Sequence, residues 1–274
     1  MATTENAPAA PEGDRSPTAA AISPAELFNL KGKLAVVIGG TGVLGGSIAE
    51  TLAAAGAKLV VVGRGEAAGN EVVARIESAG GVARVFTADA TNRDDLKALR
   101  TELDAAPDVL VNAAGVNAAT PFLEISDEEW DKIFRVNLDS VRLACQVFGP
   151  GMLTRRSGSV INLASMSAEI PLSRVFTYSA SKAAVLNLTR NLAREWAPAG
   201  VRVNALSPGF FPAEQNREIL SPDRVAAIMN HTPMARFGEP GELAGAVLLL
   251  ASDAGRFVTG SNLCVDGGFS AMTI

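Results

Sequence analysis

The sequence predicts an α/β fold of the Rossmann type, a doubly wound parallel sheet of about seven strands with helices on both faces. Three observations predict it. From Leu34 onward, short β-branched runs alternate with longer amphipathic segments, the signature of repeated βαβ units. A glycine-rich stretch follows the first run without a gap, as it does where a strand turns into a helix around a dinucleotide. The composition, 48% hydrophobic and 19% charged over 274 residues, is that of a chain able to bury a large core. No second core or linker follows residue 27, so one domain is expected over residues 28–274.

Taken in order, residues 1–27 are rich in Ala, Pro, Ser and Thr, with Pro8, Pro11, Pro17 and Pro24 spread through them. Without a hydrophobic period they are predicted to form a disordered tail. The strand runs are 34–38, 58–62, 82–86, 109–111, 160–163, 201–206 and 262–265. The clearest helical stretches are 67–78, 127–148 and 178–196. Parallel strands need a crossover, usually a helix, and ligands of such sheets lie at the carboxyl ends of the strands.

The net charge is -5 with one histidine and no Lys/Arg-rich block, which gives no footprint for nucleic acid or an anionic membrane surface. No apolar run approaches the roughly 18 residues that span a bilayer, and the N-terminus lacks the basic-then-apolar order of a secretory signal. A soluble, cytoplasmic protein acting on a small molecule is expected. Cys145 and Cys264 stand far apart in apolar contexts, so buried free thiols are expected rather than a disulfide or metal set.

The first strand runs into Gly39-Gly40-Thr41-Gly42-Val43-Leu44-Gly45-Gly46, with a helix expected to begin near Ser47. Glycines let the backbone turn tightly and approach a pyrophosphate, whose charge meets the N–H groups of the helix start. Gly39, Thr41, Gly42, Val43, Leu44 and Gly45 are therefore candidate cofactor contacts. Asp89 and Ala90 after the third strand, and Asn112, Ala113, Ala114 and Gly115 after the fourth, sit where adenine and ribose would lie. At the end of the second strand an Asp or Glu would bond an adenosine 2′-hydroxyl, whereas an Arg accommodates a 2′-phosphate. Arg64 stands there and the acid is missing, which favours NADP(H) over NAD(H).

Tyr178 and Lys182 lie four residues apart in a predicted helix, hence on one helix face. A neighbouring ammonium and an oxidised nicotinamide would favour the phenolate and lower the tyrosine's pKa toward that of a usable base. Tyr178 is the only tyrosine in the chain, and Ser165 stands thirteen residues before it at the end of the fifth strand.

With these residues in view, the chain resembles the short-chain dehydrogenase/reductase family over about residues 28–274. The resemblance implies that Tyr178 is the general acid/base, that Lys182 lowers its pKa and holds the nicotinamide ribose, and that Ser165 orients the reacting carbonyl or alcohol. It also implies a fourth catalytic residue, Asn137, supporting a water relay to the lysine. The stretch through Pro208 and Gly209 to Phe211 matches the segment along the nicotinamide. Two departures stand out. Gly39, Gly42 and Gly45 have the spacing of the extended branch, which includes epimerases, rather than of the main branch; and Ala213 replaces a threonine common among relatives. The resemblance further implies a homo-oligomer, a tetramer or dimer paired through the two long helices.

After Gly209 the chain carries Glu214, Gln215, Asn216 and Arg217, hydrogen-bonding groups and a guanidinium suited to a polyhydroxy acid. These stretches are similar to the D-mannonate oxidoreductase (fructuronate reductase) branch, which implies hydride exchange between D-mannonate and D-fructuronate. Candidate substrate contacts are Asn117, Ser165, Met166, Glu169, Arg174, Tyr178, Gln215, Asn216 and Arg217, with Arg174 and Arg217 competing for a carboxylate. The rival readings are a short-chain reductase of another small carbonyl substrate, a cofactor-sensing protein on the same fold, since fold alone does not certify catalysis, and an epimerase with tightly held NAD, suggested by the glycine spacing.

Overall fold

The computed structural model describes residues 23–211 and 221–272. Seven parallel strands form one sheet in the order β3-β2-β1-β4-β5-β6-β7. They are β1 (Leu34–Ile38), β2 (Lys58–Gly63), β3 (Val82–Thr87), β4 (Val109–Asn112), β5 (Gly158–Leu163), β6 (Val201–Pro208) and β7 (Asn262–Val265). Each sequence-predicted strand is present, several of them longer by one or two residues. From β1 the chain winds outward to β3, then returns to lay β4 on the other side of β1, with Val36 opposite both Val60 and Leu110. That reversal opens a crevice at the carboxyl ends of β1 and β4, the place where such sheets bind ligands.

The central strands β1, β2 and β4 are near-continuous apolar runs because helices cover both faces. Successive side chains of β1 point to opposite sides. Val36 and Ile38 join one core, with Leu96 and Leu99 of α4 (Arg93–Glu102), Phe148 of α6 (Ser140–Arg155) and Val185 of α7 (Phe176–Trp196). Ala35 and Val37 join the other, with Ile48 and Leu52 of α2 (Val43–Ala54), Ile76 of α3 (Glu66–Ser78) and Val247 of α9 (Ala244–Ala251).

Four features differ from the sequence expectation. Helix α2 begins at Val43, not near Ser47, and buries Gly45 and Gly46 in its first turn. The segment 127–148 is α5 (Asp127–Phe134), a π-helical turn Arg135–Asp139, and α6, which continues past Pro150 to Arg155. Ser23–Leu27, placed in the tail by composition, form a helical turn α1 (Pro24–Leu27) closed by a Ser23/Glu26 capping box, which satisfies backbone donors that the proline content alone does not reveal. A helix α8 (Pro222–His231), capped by Ser221 and opened by Pro222, follows the substrate-side stretch.

Phe148 is fully buried between α6 and the sheet. Phe148→Ala should lower the unfolding free energy by about 3–5 kcal/mol, read as a lower urea midpoint with an unchanged slope.

Candidate active site

A cleft of about 310 Å³ lies in the crevice between β1 and β4. Its floor is the turn after β1, with Gly39, Thr41 and Gly42, and its walls include Arg64 after β2. Asp89 and Ala90 after β3, and Ala113, Ala114 and Gly115 after β4, close it. The three glycines of the turn do different work. Gly39 has φ 79°, and a Cβ on it would lie 2.5 Å from the Ala114 nitrogen. A Cβ on Gly45 would run into the Gly39 carbonyl. Gly42 has an ordinary φ of -85°, and a Cβ there would meet only the Gly39 oxygen at 3.5 Å. Protein packing therefore requires Gly39 and Gly45 but leaves the space at Gly42 open to the cleft.

Gly42 is also the N-cap of α2, with no side-chain cap and no acidic residue in the first turn. The first helical bond runs from the Gly46 N–H to the Gly42 carbonyl, 2.7 Å, so the N–H groups of Val43, Leu44 and Gly45 precede it. Such a bare helix start, beside an open glycine, fits a pyrophosphate. Asp89 accepts from the Thr91 N–H and hydroxyl, each at 2.8 Å. The Thr91 backbone bond is the chief influence holding its carboxyl below the usual range, and the Arg64 and Arg135 guanidiniums act in the same direction.

Asn112 does not border this cleft. Its amide is buried and donates to Asn162 Oδ1 at 2.8 Å, and Asn162 in turn donates to Thr189 of α7 at 2.9 Å. It is a cross-tie between β4, β5 and α7, and the residues after it, Ala113 to Gly115, line the crevice.

Ser165 follows β5 and is 8% exposed. Its Oγ accepts from the Ser167 N–H at 3.2 Å and from the Ser167 hydroxyl at 3.1 Å, which leaves its own proton for the Tyr178 oxygen. Lys182, one helical turn after Tyr178, is 3% exposed. Its Nζ donates to the Leu163 carbonyl at 2.7 Å and lies 5.7 Å from the Tyr178 ring centroid. Burial lowers the lysine's pKa to about 8. The Tyr178 ring keeps a partly exposed edge. Burial of its hydroxyl pushes the phenol's pKa up, and the hydrogen bond from Ser165 pulls it back. For Tyr178 desolvation therefore outweighs the Ser165 hydrogen bond, and the net shift is upward.

Asn137 sits in the π-helical turn and is fully buried. Its amide exchanges bonds with the Val116 backbone, 2.8 and 3.0 Å, and donates to Ser181 at 2.9 Å. A Cβ on Gly115 would lie 3.5 Å from both Asn137 Oδ1 and Lys182 Nζ. Asn137 therefore pins the turn that faces the lysine. The Gly209 N–H, one residue beyond Pro208, is bonded to the Val265 carbonyl at 2.9 Å. Phe211 packs its ring against Gly238.

On the substrate side, Met166 is buried and Asn117 exposed. Glu169 is exposed and paired with Arg190 at 3.5 Å. Arg174 is exposed, with φ 63°, and does not border the cavity of about 430 Å³ beside the loop that follows Ser165. Ala213, Glu214, Gln215, Asn216 and Arg217 lie outside the described residues. That cavity holds Arg224 instead, which the sequence reading missed. Its signal was a Ser-Pro helix start with an arginine in the first turn. Among the described residues no cluster of metal-ligating side chains occurs, and no helix is long and apolar enough to cross a membrane.

Over residues 41–270 the chain matches a family model described as enoyl-(acyl carrier protein) reductase, one of the short-chain dehydrogenase/reductase models. The chain is a short-chain dehydrogenase/reductase. It is 41% identical over 249 residues to galactitol 2-dehydrogenase (L-tagatose-forming) of Cereibacter sphaeroides, covering 89% of this chain and 97% of that one. Two solved structures match this short-chain dehydrogenase/reductase with a TM-score of 0.87. One is gluconate 5-dehydrogenase of Burkholderia cenocepacia with NADP and tartrate, 32% identical over 92% of this chain and 100% of its own. The other, from Haemophilus influenza, is assigned as a D-mannonate oxidoreductase and carries NAD; it is 33% identical over 92% of this chain and 99% of its own. As a member of the family the protein is an oxidoreductase.

Gly42→Ala should leave the unfolding midpoint unchanged yet weaken dinucleotide binding by about tenfold or more, the cost of losing one hydrogen bond to a charged group. Gly45→Ala should lower both. Fluorescence titration with NADPH beside thermal unfolding separates the two glycines.

Proposed function

We propose that this oxidoreductase interconverts a secondary alcohol and a ketone on a sugar acid or polyol, using NADP(H) in preference to NAD(H). The observation that carries the reading is the convergence of Ser165, Tyr178 and Lys182, all largely enclosed, beside the crevice at the carboxyl end of the sheet. The nicotinamide, when bound, supplies or accepts the hydride. The glycine turn and the start of α2 would hold its pyrophosphate, and Arg64 with Asp89 its adenosine end. Exposed Arg64, with no acid at the end of β2, is suited to a 2′-phosphate.

Tyr178 is the proton donor and acceptor at the substrate oxygen. With its pKa raised by burial, it is protonated at neutral pH and ready to donate in the direction of ketone reduction. Ser165 hydrogen-bonds the same oxygen and stabilises charge developing there. Lys182 stabilises the phenolate left after transfer, held in place by the Leu163 carbonyl, and Asn137 positions the turn that faces it. D-mannonate and D-fructuronate are one candidate pair, supported by the Haemophilus relative; the galactitol and gluconate dehydrogenases support other polyhydroxy substrates equally. Exposed Leu123, Trp130 and Phe176 on and beside the long helices support a homo-oligomer, tetramer or dimer. We place this activity in the cytoplasm.

The test follows reduced-nicotinamide absorbance while the protein receives NADPH or NADH with a panel of keto sugar acids, including fructuronate, and the matching ketoses. Consumption of NADPH with a member of the panel is the expected result, and no consumption with any member overturns the reading. Tyr178→Phe should cut turnover by about a hundredfold to ten-thousandfold with cofactor affinity preserved; undiminished turnover would remove Tyr178 from the chemistry. The alcohol-oxidation rate should rise with pH, because that direction requires the deprotonated phenol, and the reduction rate should fall over the same range. A pH–rate profile in both directions checks the sign.

A further inference from the structure

We propose that Arg224 binds the carboxylate of the substrate, so that the site is built for a sugar acid rather than an uncharged polyol. This proposal rests on the reading of the site given above and chooses between its two substrate classes. The cavity of about 430 Å³ is framed by the loop after Ser165, by Phe210 beyond β6, and by α8. The loop that frames it, residues 170–173, lies on the chain between Ser165 and Tyr178. The Ile170 N–H donates to the Met166 carbonyl at 3.1 Å, next to Ser165, and Ser173 lies shortly before Tyr178 on the chain.

The lining is apolar at Leu172, Phe210, Ile228 and Phe269, and among the described residues its one cation of fixed charge is Arg224. Arg224 is half-buried. Its Nη1 donates to Ser173 Oγ at 2.6 Å, which ties the guanidinium across the cavity and leaves further N–H donors for a ligand. Among the described residues no carboxylate pairs with it. It also stands in the first turn of α8, at the positive end of the helix, with the exposed Asp223 as the only acid of that turn. A cation there adds to the helix field instead of opposing it, so the two together favour an anion. A polyol offers nothing to match that charge, whereas a carboxylate accepts from a guanidinium in a paired, directional way. Exposed Arg174 lies outside the cavity, and Glu169 is already paired with Arg190.

The competing role for Arg224 is a latch that merely fastens α8 to Ser173, and such a latch would serve acids and polyols alike. The experiment measures binding of D-gluconate, D-mannonate and D-galactonate, each beside its own alditol, to the NADP-loaded protein by calorimetry. Turnover of the same pairs is measured in parallel. The wild type should favour at least one acid over its alditol. Arg224→Gln should weaken that acid by about tenfold to a hundredfold, the loss expected of a charged hydrogen bond, mainly in KM. The alditols should change by no more than about twofold, Arg224→Lys should recover part of the loss, and Ser173→Ala should keep the acid preference. Equal losses for acid and alditol, or no preference in the wild type, would overturn the proposal. A wild type that turns over none of the pairs sinks the functional reading instead; the calorimetric acid preference and its loss in Arg224→Gln then still decide for or against the anchor.

Discussion

A buried ammonium needs compensation when it leaves water, and in this protein the Leu163 carbonyl supplies it. The 2.7 Å bond from Lys182 Nζ to that carbonyl joins α7 to the last residue of β5. Ser165 is two residues past the strand end, and Tyr178 is one helical turn before the lysine. The same bond therefore sets the distance between strand end and helix, and with it the approach of hydroxyl to phenol. Removing a buried cation's partner is costly, so the geometry is held by a penalty against change as well as by attraction. Among the described residues no carboxylate stands in for the carbonyl. A full counter-charge would hold the lysine permanently ionised, whereas a neutral acceptor leaves its pKa near 8 and its charge responsive to what binds beside it.

The turn after β1 supplies the second constraint. Gly39 touches the backbone of Ala114, and Gly45 touches the carbonyl of Gly39. These two contacts press the ends of β1 and β4 and the start of α2 into one wall. Gly42 is free of that duty, and the exposed side chain of Val43 beside it leaves the wall intact.

Much of this was legible in the sequence. Parallel strands covered on both sides leave apolar runs that need no partner information, and β1, β2 and β4 were visible for that reason; the others showed as short β-branched runs between helical stretches. Ser165, Tyr178 and Lys182 stood out as candidates because chemistry restricts both type and spacing. What stayed hidden depends on the third dimension. Gly45 and Gly46 read as loop residues because glycine weakens a helix, yet close backbone contact places them inside α2. Asn112 read as a candidate contact because it neighbours residues that line the crevice; its partner, Asn162, is fifty residues away. The direction of the Tyr178 shift depends on how much water the fold removes from the hydroxyl. Arg224 was hidden because only the folding of α8 over the loop before α7 brings it to Ser173.

The π-helical turn at Arg135–Asp139 has a further meaning. A regular α-helix advances by about 100° per residue, and a wider turn inserts a phase shift into the rod. Helix α5 and helix α6 thus present their apolar stripes at different azimuths along one uninterrupted backbone. The upstream part buries Ile133, while the downstream part lays Val141, Ala144 and Phe148 on the sheet. Asn137 occupies the junction itself, so its inward orientation comes from the mismatch between two helical phases. A single surplus residue thus converts a supporting rod into a bracket for the lysine's surroundings, and a deletion there would rotate one half of the rod against the other while leaving the side chains of Ser165, Tyr178 and Lys182 chemically intact.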